Sequence, residues 1–295
     1  MKKALPKLLV ICGPTASGKT ELAIALAKKY DGALVAADSR TIYKGMDIGT
    51  GKDKSFPCLL IDIVRPDQPF TLAEYKAKAL RAIRAVVKQG KLPILVGGTG
   101  LYIWSIVDNL LIPKIPPNEK MRREFEKKTA DQLFALLNSI DPAAAKVTGK
   151  NRRRIVRALE VVIASGDKFS ESAKRGRPLF DCLEIGMDVP REELKERIDR
   201  RVDQMMRAGF MQEVMDLRKK LYSPKLPAMS GIGYAELNAA IDGKQPLAEA
   251  VERIKARTRQ YGRRQMTWFR RDKRINWVRG REAADLLVKK WLEAG

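Results

Sequence analysis

Leu8-Leu9-Val10-Ile11-Cys12-Gly13-Pro14-Thr15-Ala16-Ser17-Gly18-Lys19-Thr20-Glu21-Leu22 is the stretch on which the fold turns. An apolar run stops at a glycine, a tight turn follows, and Leu22, Ala25 and Leu26 then recur at helical spacing as far as Lys29. Gly13 to Thr20 fits the pattern G-x-x-x-x-G-K-[ST] in the setting that the pattern requires, a strand before it and a helix after it. The glycines let successive N–H groups turn inward around an anion, and the helix adds the positive end of its dipole. Gly13, Pro14, Thr15, Ala16, Ser17 and Gly18 therefore read as a diphosphate- or triphosphate-binding loop. Lys19 supplies a cation for the outer phosphate, and Thr20 a hydroxyl ligand for Mg²⁺.

The signals on either side extend this unit. Ala33 to Ala37 is a second apolar run, ending at Asp38, and Leu59 to Val64 is a third. Leu72 to Gln89 reads as an amphipathic helix, and Pro93 to Val96 as a strand stopped by Gly97-Gly98. Such alternation predicts an α/β fold, a parallel sheet with helices on both faces. Ile112 to Asn118 then carries three prolines, a natural hinge. Met121 to Ile163 is helical in pattern, Gly166 to Pro178 reads as loop, and Leu183 to Val189 as another strand. Helices dominate from there to Trp268, and Ile275 to Val278 is a late strand. The expected organisation is a P-loop core of residues 1–113 and 181–295, interrupted by a small all-helical insertion at 114–180.

Lys and Arg number 58 against 35 acids in 295 residues, a formal charge of +23 that suits a polyanionic partner. Two runs concentrate it. Lys146 to Arg157 holds six basic residues and no acid, and Val251 to Arg274 holds ten against two, with Tyr261 placed for stacking. Ile155, Leu159 and Val162 mark the inward face of the first run, while Trp268 and Phe269 read as core in the second. No apolar stretch suffices to cross a bilayer, and no apolar core of a signal peptide follows the first lysines. Cys12, Cys58 and Cys182 form no CxxC pair, which argues against a disulfide framework or a zinc site and suits the cytoplasm. There is no histidine, so any proton transfer falls to Asp, Glu, Lys, Tyr or water. The loop alone does not say which phosphate compound it binds. A nucleotide hydrolase would need an acid at a strand end for Mg²⁺, and Asp38 and Asp62 could both serve.

Further motifs narrow the choice. Asp38-Ser39-Arg40-Thr41-Ile42-Tyr43-Lys44-Gly45-Met46-Asp47-Ile48-Gly49-Thr50 resembles D-S-x-x-[IV]-Y-x-G-M-D-I-G-T of the tRNA dimethylallyltransferases. Gly97 to Tyr102 resembles that family's G-G-T-x-L-Y, and Arg154 to Val161 its R-[IL]-x-R-A-L-E-V. Gly233-Tyr234 matches a G-Y element, and Thr258 to Arg270 the late T-R-Q-x-x-[KR]-R-Q-x-T-W-[FL]-R. The matches run in order through nearly the whole chain. The resemblance implies a prenyltransferase, and nothing in the sequence demands more than a monomer or an obligate protein partner. Its loop would hold dimethylallyl diphosphate with Mg²⁺ rather than a nucleotide, and it would alkylate N6 of adenosine 37 beside the anticodon, in tRNAs reading codons that begin with U. It implies Asp38 as general base, Lys19 and Thr20 as catalytic partners at the diphosphate, and tRNA contacts from Asp38, Ser39, Arg40, Thr41, Thr99, Arg122, Arg153, Arg154, Arg157, Gln260, Arg263, Arg264 and Gln265.

Two positions depart from the family pattern: Ser230 stands where some relatives carry arginine, and Pro57 to Asp62 lacks a histidine pair that others have. Three other functions share part of these features. They are a P-loop kinase of small metabolites, a prenyltransferase of free adenine nucleotides, and a non-catalytic RNA-binding module. The first two leave the basic runs without a purpose, and the third leaves Asp38 beside a phosphate loop unexplained.

Overall fold

The computed structural model describes residues 4–113, 115–172 and 174–294. Six strands form one parallel sheet in the order β3-β2-β4-β1-β5-β6. They are β1 (Lys7–Cys12), β2 (Gly32–Ala36), β3 (Cys58–Leu59), β4 (Leu92–Gly97), β5 (Asp181–Met187) and β6 (Asn276–Val278). Strand residues alternate between the two faces, as the pleat dictates. Leu8, Val10, Cys12, Val35 and Leu95 join one apolar cluster with Tyr75, Ile103 and Phe269, while Leu9, Ile11, Leu34, Ile94 and Val96 join another with Leu22, Leu26 and Val288. Helices α1 (Lys19–Lys29), α2 (Leu72–Lys88) and α3 (Gly100–Val107) follow β1, β3 and β4. α2 opens on a capping box, Thr71 exchanging hydrogen bonds with Glu74.

Register decides where the chemistry can lie. Cys12 pairs with Gly97 and Gly186, and Ala36 with Val96, so the loops after β1, β2 and β4 leave one edge of the sheet together. In an open parallel sheet, ligands bind at this carboxyl edge.

The third expected strand is the main local difference. Only Cys58 and Leu59 pair with β2, because Leu60 and Asp62 take left-handed backbone at φ 68° and 54° and cannot continue a strand. The cause is tertiary: the Lys52 ammonium, with no exposed surface, is held by the Tyr43 carbonyl, Asp47 and Asp62 at 2.6, 2.7 and 2.5 Å. Asp62, weighed above as a Mg²⁺ ligand, is thereby committed to a lysine.

The chain divides into two compact units, Met1–Val107 with Leu179–Gly295, and Asp108–Pro178. The second is helical throughout its regular structure: α4 (Glu119–Glu126), α5 (Ala130–Ile140), α6 (Pro142–Thr148), α7 (Arg152–Ser165) and the short α8 (Phe169–Ser172), inside what the sequence suggested was loop. Asn118, Thr129, Asp141 and Asn151 cap the first four helices, and Phe125, Leu133, Leu137, Ile155 and Leu159 form their core. Its boundaries fall at 108 and 178 rather than 114 and 180, and residue 114 itself lies outside the described residues. The first unit ends in α9 (Arg191–Arg207), α10 (Phe210–Lys219), α11 (Tyr234–Ile241), α12 (Leu247–Phe269) and, after β6, α13 (Arg281–Glu293).

Candidate active site at the carboxyl edge of the sheet

The loop after β1 has the backbone that a phosphate cradle needs. Gly13, Ala16 and Gly18 sit at φ 148°, 61° and 85°, and a Cβ on Gly13 would come within 3.1 Å of the Ser17 hydroxyl. That hydroxyl is buried and has no hydrogen-bond partner among the described residues. Lys19 crosses the loop and donates to the Pro14 carbonyl at 3.0 Å. Burial, and next the nearby Arg201 guanidinium, pull the Lys19 ammonium down to about 8.

The loop forms one wall of a cavity of about 680 Å³, with Arg197, Arg200 and Arg201 of α9 and the segment around Gly51 supplying others. Thr20 also lies on the wall. No group of three acids and cysteines able to hold a metal converges among the described residues. Mg²⁺ needs no such cage where a substrate supplies phosphate oxygens and water completes the octahedron, so a Thr20 hydroxyl beside a diphosphate is a fitting donor set.

Asp38 leaves the end of β2 next to this loop. The Ala37 N–H bonds the Val96 carbonyl at 2.7 Å, and Thr99 closes the gap: its N–H bonds the Ala37 carbonyl at 3.1 Å and its hydroxyl accepts from the Ser39 N–H at 3.0 Å. One Asp38 oxygen accepts from the Arg40 N–H at 2.8 Å, and the other oxygen of this half-buried carboxylate has no hydrogen-bond partner among the described residues, which leaves it for a substrate. Tyr261 of α12 lies near Asp38, and its hydroxyl is pushed up by burial and then by that carboxylate. The Arg40 guanidinium is turned to the Pro227 and Ala228 carbonyls at 3.1 and 3.3 Å. It braces the turn ending at Ser230, whose own hydroxyl bonds Pro227. Thr41 has a buried hydroxyl without a partner among the described residues.

Gln265, expected to face tRNA, is buried instead. Its carboxamide accepts from the Thr15 N–H at 2.9 Å and donates to the Gly98 carbonyl at 2.8 Å, joining the phosphate loop to the loop after β4. The glycines of that second loop are required by this packing. A Cβ on Gly98 would lie 2.3 Å from the Gln265 amide, and one on Gly100 2.1 Å from the Trp268 indole nitrogen. Phe269 is core, and Trp268 packs on Trp104 with centroids 4.6 Å apart. Gln260, Arg263 and Arg264 are exposed on the same helix, Arg264 lying 6.0 Å from the Tyr261 ring centre.

In the helical unit Arg153 and Arg154 are exposed. Arg122 is bound to buried Glu160 at 2.7 Å, and Arg157 donates to the Ile115 carbonyl at 2.8 Å and reaches Glu160 at 3.5 Å. The structure therefore groups Lys19, Thr20, Asp38, Ser39 and Thr99 at one edge, and gives Arg122 and Arg157 local work within their own unit.

Two participants escape a reading of the sequence. Arg201 sits in a helix so charged that nothing marks one arginine out. Glu213 accepts the N–H groups of Asp47, Ile48 and Gly49 at 2.7, 2.6 and 3.1 Å and the Tyr234 hydroxyl at 2.6 Å, which anchors the segment that begins with Asp38. A signal for Glu213 exists in the Gly233-Tyr234 motif, whose tyrosine it binds.

Comparison with known proteins agrees with this geometry. A family model described as IPP transferase matches residues 41–272, and one described as isopentenyl transferase matches residues 6–57. The chain is 42% identical to the tRNA dimethylallyltransferase of Pelotomaculum thermopropionicum over 94% of its length and 92% of the relative's. It is 44% identical to that of Geobacter sulfurreducens, over 92% and 91%. Among solved structures, the tRNA isopentenylpyrophosphate transferase of Bacillus halodurans superposes with a TM-score of 0.73 at 33% identity, covering 98% of this chain and 96% of that one. A eukaryotic dimethylallyltransferase crystallised acting on tRNA superposes at 0.78 and 30% identity, covering 90% and 70%.

Proposed function

The chain belongs to the IPP transferase family, and from that premise we propose that it moves a dimethylallyl group from dimethylallyl diphosphate to N6 of adenosine 37, beside the anticodon, in tRNAs reading U-starting codons. The observation that carries this reading is Asp38, a carboxylate with an uncommitted oxygen, set at the same sheet edge as the phosphate loop. The loop N–H groups and Lys19 bind the diphosphate and meet the negative charge that grows on it as the bond from carbon to the bridging oxygen breaks. The adenine N6 forms the new bond to that carbon, and its proton passes to Asp38, without which the delocalised amine is a poor nucleophile. Mg²⁺ held by Thr20 and the diphosphate would supply further charge neutralisation for the leaving group. The base must leave the anticodon stack to reach Asp38. Ser39 and Thr99 line the approach, and Arg153, Arg154, Gln260, Arg263 and Arg264 offer exposed groups to tRNA phosphates. The enzyme acts as a monomer in the cytoplasm.

Labelled dimethylallyl diphosphate, supplied with bulk tRNA or with AMP, tests the reading. Label should enter tRNA alone, and nucleoside mass spectrometry should find N6-isopentenyladenosine. Label in AMP, or ATP-dependent phosphorylation of a metabolite without prenyl transfer, would overturn it. Asp38→Asn should lower turnover by about 10² or more with tRNA affinity little changed, and Lys19→Ala by about 10²–10³.

A further inference from the structure

The cavity at the phosphate loop is polar on almost every side. Its wall is mostly loop backbone, hydroxyls and charged side chains from α1, α9 and the segment around Gly51. Among the described residues on it, the apolar side chains larger than that of alanine are Ile48 and Met205. A second cavity, of about 380 Å³, is lined by Gly45, Gln212, Glu213 and Leu217 among others. Ile48 and Ala208, the latter in the turn after α9, line both cavities and so form the partition between them. That partition is held in place. Glu213 accepts the N–H of Ile48 at 2.6 Å and those of its two neighbours, Asp47 and Gly49, at 2.7 and 3.1 Å. A Cβ on Gly49 would lie 2.1 Å from the Phe210 ring and 2.7 Å from that of Tyr234. A backbone tied to a carboxylate and pressed against two rings keeps the Ile48 side chain from retreating when a ligand pushes on it.

We propose that Ile48, together with Ala208, sets the length of the alkyl chain that the enzyme transfers. This rests on the reading that the donor is an allylic diphosphate held by the phosphate loop. With the diphosphate on the loop, the single isoprene unit of a dimethylallyl donor leaves water against the apolar corner of the cavity, which favours its binding. Geranyl diphosphate carries the same diphosphate and the same reacting carbon. Its second isoprene unit, however, meets either the charged wall, which it would strip of water, or a partition that does not yield. The space that a longer chain needs lies in the second cavity, behind Ile48.

Unmodified tRNA supplied in turn with dimethylallyl and geranyl diphosphate provides the test for wild type, Ile48→Ala, and Ile48→Ala combined with Ala208→Leu. The readouts are kcat/KM for each donor and affinity for inorganic diphosphate. Either group transfers by the same displacement: N6 bonds the allylic carbon as that carbon's bond to the bridging oxygen breaks, the N6 proton passes to Asp38, and diphosphate leaves. Ile48→Ala should raise the geranyl-to-dimethylallyl ratio of kcat/KM by about 10- to 100-fold. Inorganic diphosphate should bind as in wild type, since an apolar side chain makes no hydrogen bond to phosphate. Ala208 is exposed, with ordinary helical backbone at φ −73°, and accepts a larger side chain. Ala208→Leu in the same chain should therefore narrow the opening and return the ratio most of the way to wild type. An unchanged ratio in Ile48→Ala, or an equal loss with both donors, would overturn the proposal, the equal loss making Ile48 a structural residue only. If wild type transfers neither group to tRNA, the donor reading itself falls and this inference with it. Should Ile48→Ala not fold, Ile48→Val replaces it: a smaller shift in the same direction is expected, and an unchanged ratio would again overturn the proposal.

Discussion

α7 of the helical unit and α12 of the P-loop unit carry the two arginine-rich runs, and each divides the same way. In α7, Arg152 caps the Phe125 and Lys128 carbonyls and Arg157 holds Ile115 and Glu160, whereas Arg153 and Arg154 between them point to solvent. In α12, Arg257 pairs with Glu236, Arg259 with Asp199 and Lys255 with Asp203, and past Tyr261 come the exposed Arg263 and Arg264. A run that looks like one basic surface is thus partly internal bracing and partly open charge. The difference lies in what each helix braces: α7 secures its own small core, but α12, through Gln265, secures the phosphate loop itself.

The largest expected effect tests that difference directly. Gln265→Leu strands the Thr15 N–H and the Gly98 carbonyl, costing about 1–3 kcal/mol of stability by denaturant titration. Because one of those groups belongs to the phosphate loop, turnover should also fall by about 10-fold or more. Arg157→Ala should cost comparable stability and leave the turnover of the folded fraction near wild type. Equal turnover losses in both would erase the contrast between the helices.

Next come the open charges. Arg153→Glu with Arg154→Glu, and separately Arg263→Glu with Arg264→Glu, should each weaken tRNA binding without altering inorganic diphosphate binding. For every tRNA phosphate that a variant no longer neutralises, the log–log salt slope should flatten by about 1. An unchanged slope in one pair would make that run solvated surface.

The smallest effect concerns Glu160. Burial works against its charge, but Arg122, the Asn118 N–H and Arg157 together hold its carboxyl below the ordinary value of 4.5. A depressed acid contributes stability above its unfolded value and loses it as pH falls through the folded one. Unfolding monitored below pH 4.5 should therefore show a steeper acid loss in wild type than in Glu160→Gln.

Much of this molecule can be read from residue order. The phosphate loop, the parallel sheet, the helical insertion and Asp38 at a strand end follow from periodicity, glycine placement and motif spacing. β3 is shorter than its apolar run suggests, because such a run cannot reveal a buried ammonium that bends its far end. Gln265 misleads because its polarity suggests solvent, although its spacing from Gly262 and Phe269 puts it on the buried face of α12. Arg201 is invisible for a different reason. It lines the cavity at the phosphate loop and donates to the Gly51 carbonyl, a meeting of positions 150 residues apart that leaves no mark on a linear sequence.

The enclosed Lys52 has a consequence for covalent labelling. An amine with no exposed surface, already donating to three oxygens, reacts with an acylating reagent only when the segment from Tyr43 to Asp62 opens. Exposed lysines outside that segment, such as Lys78, set the reagent's intrinsic rate. The ratio of the two acylation rates, followed by peptide mass spectrometry, becomes a clock for how often the Asp38-bearing segment lets go, and a ligand that tightens it would slow that clock at Lys52 while leaving the exposed lysines unchanged.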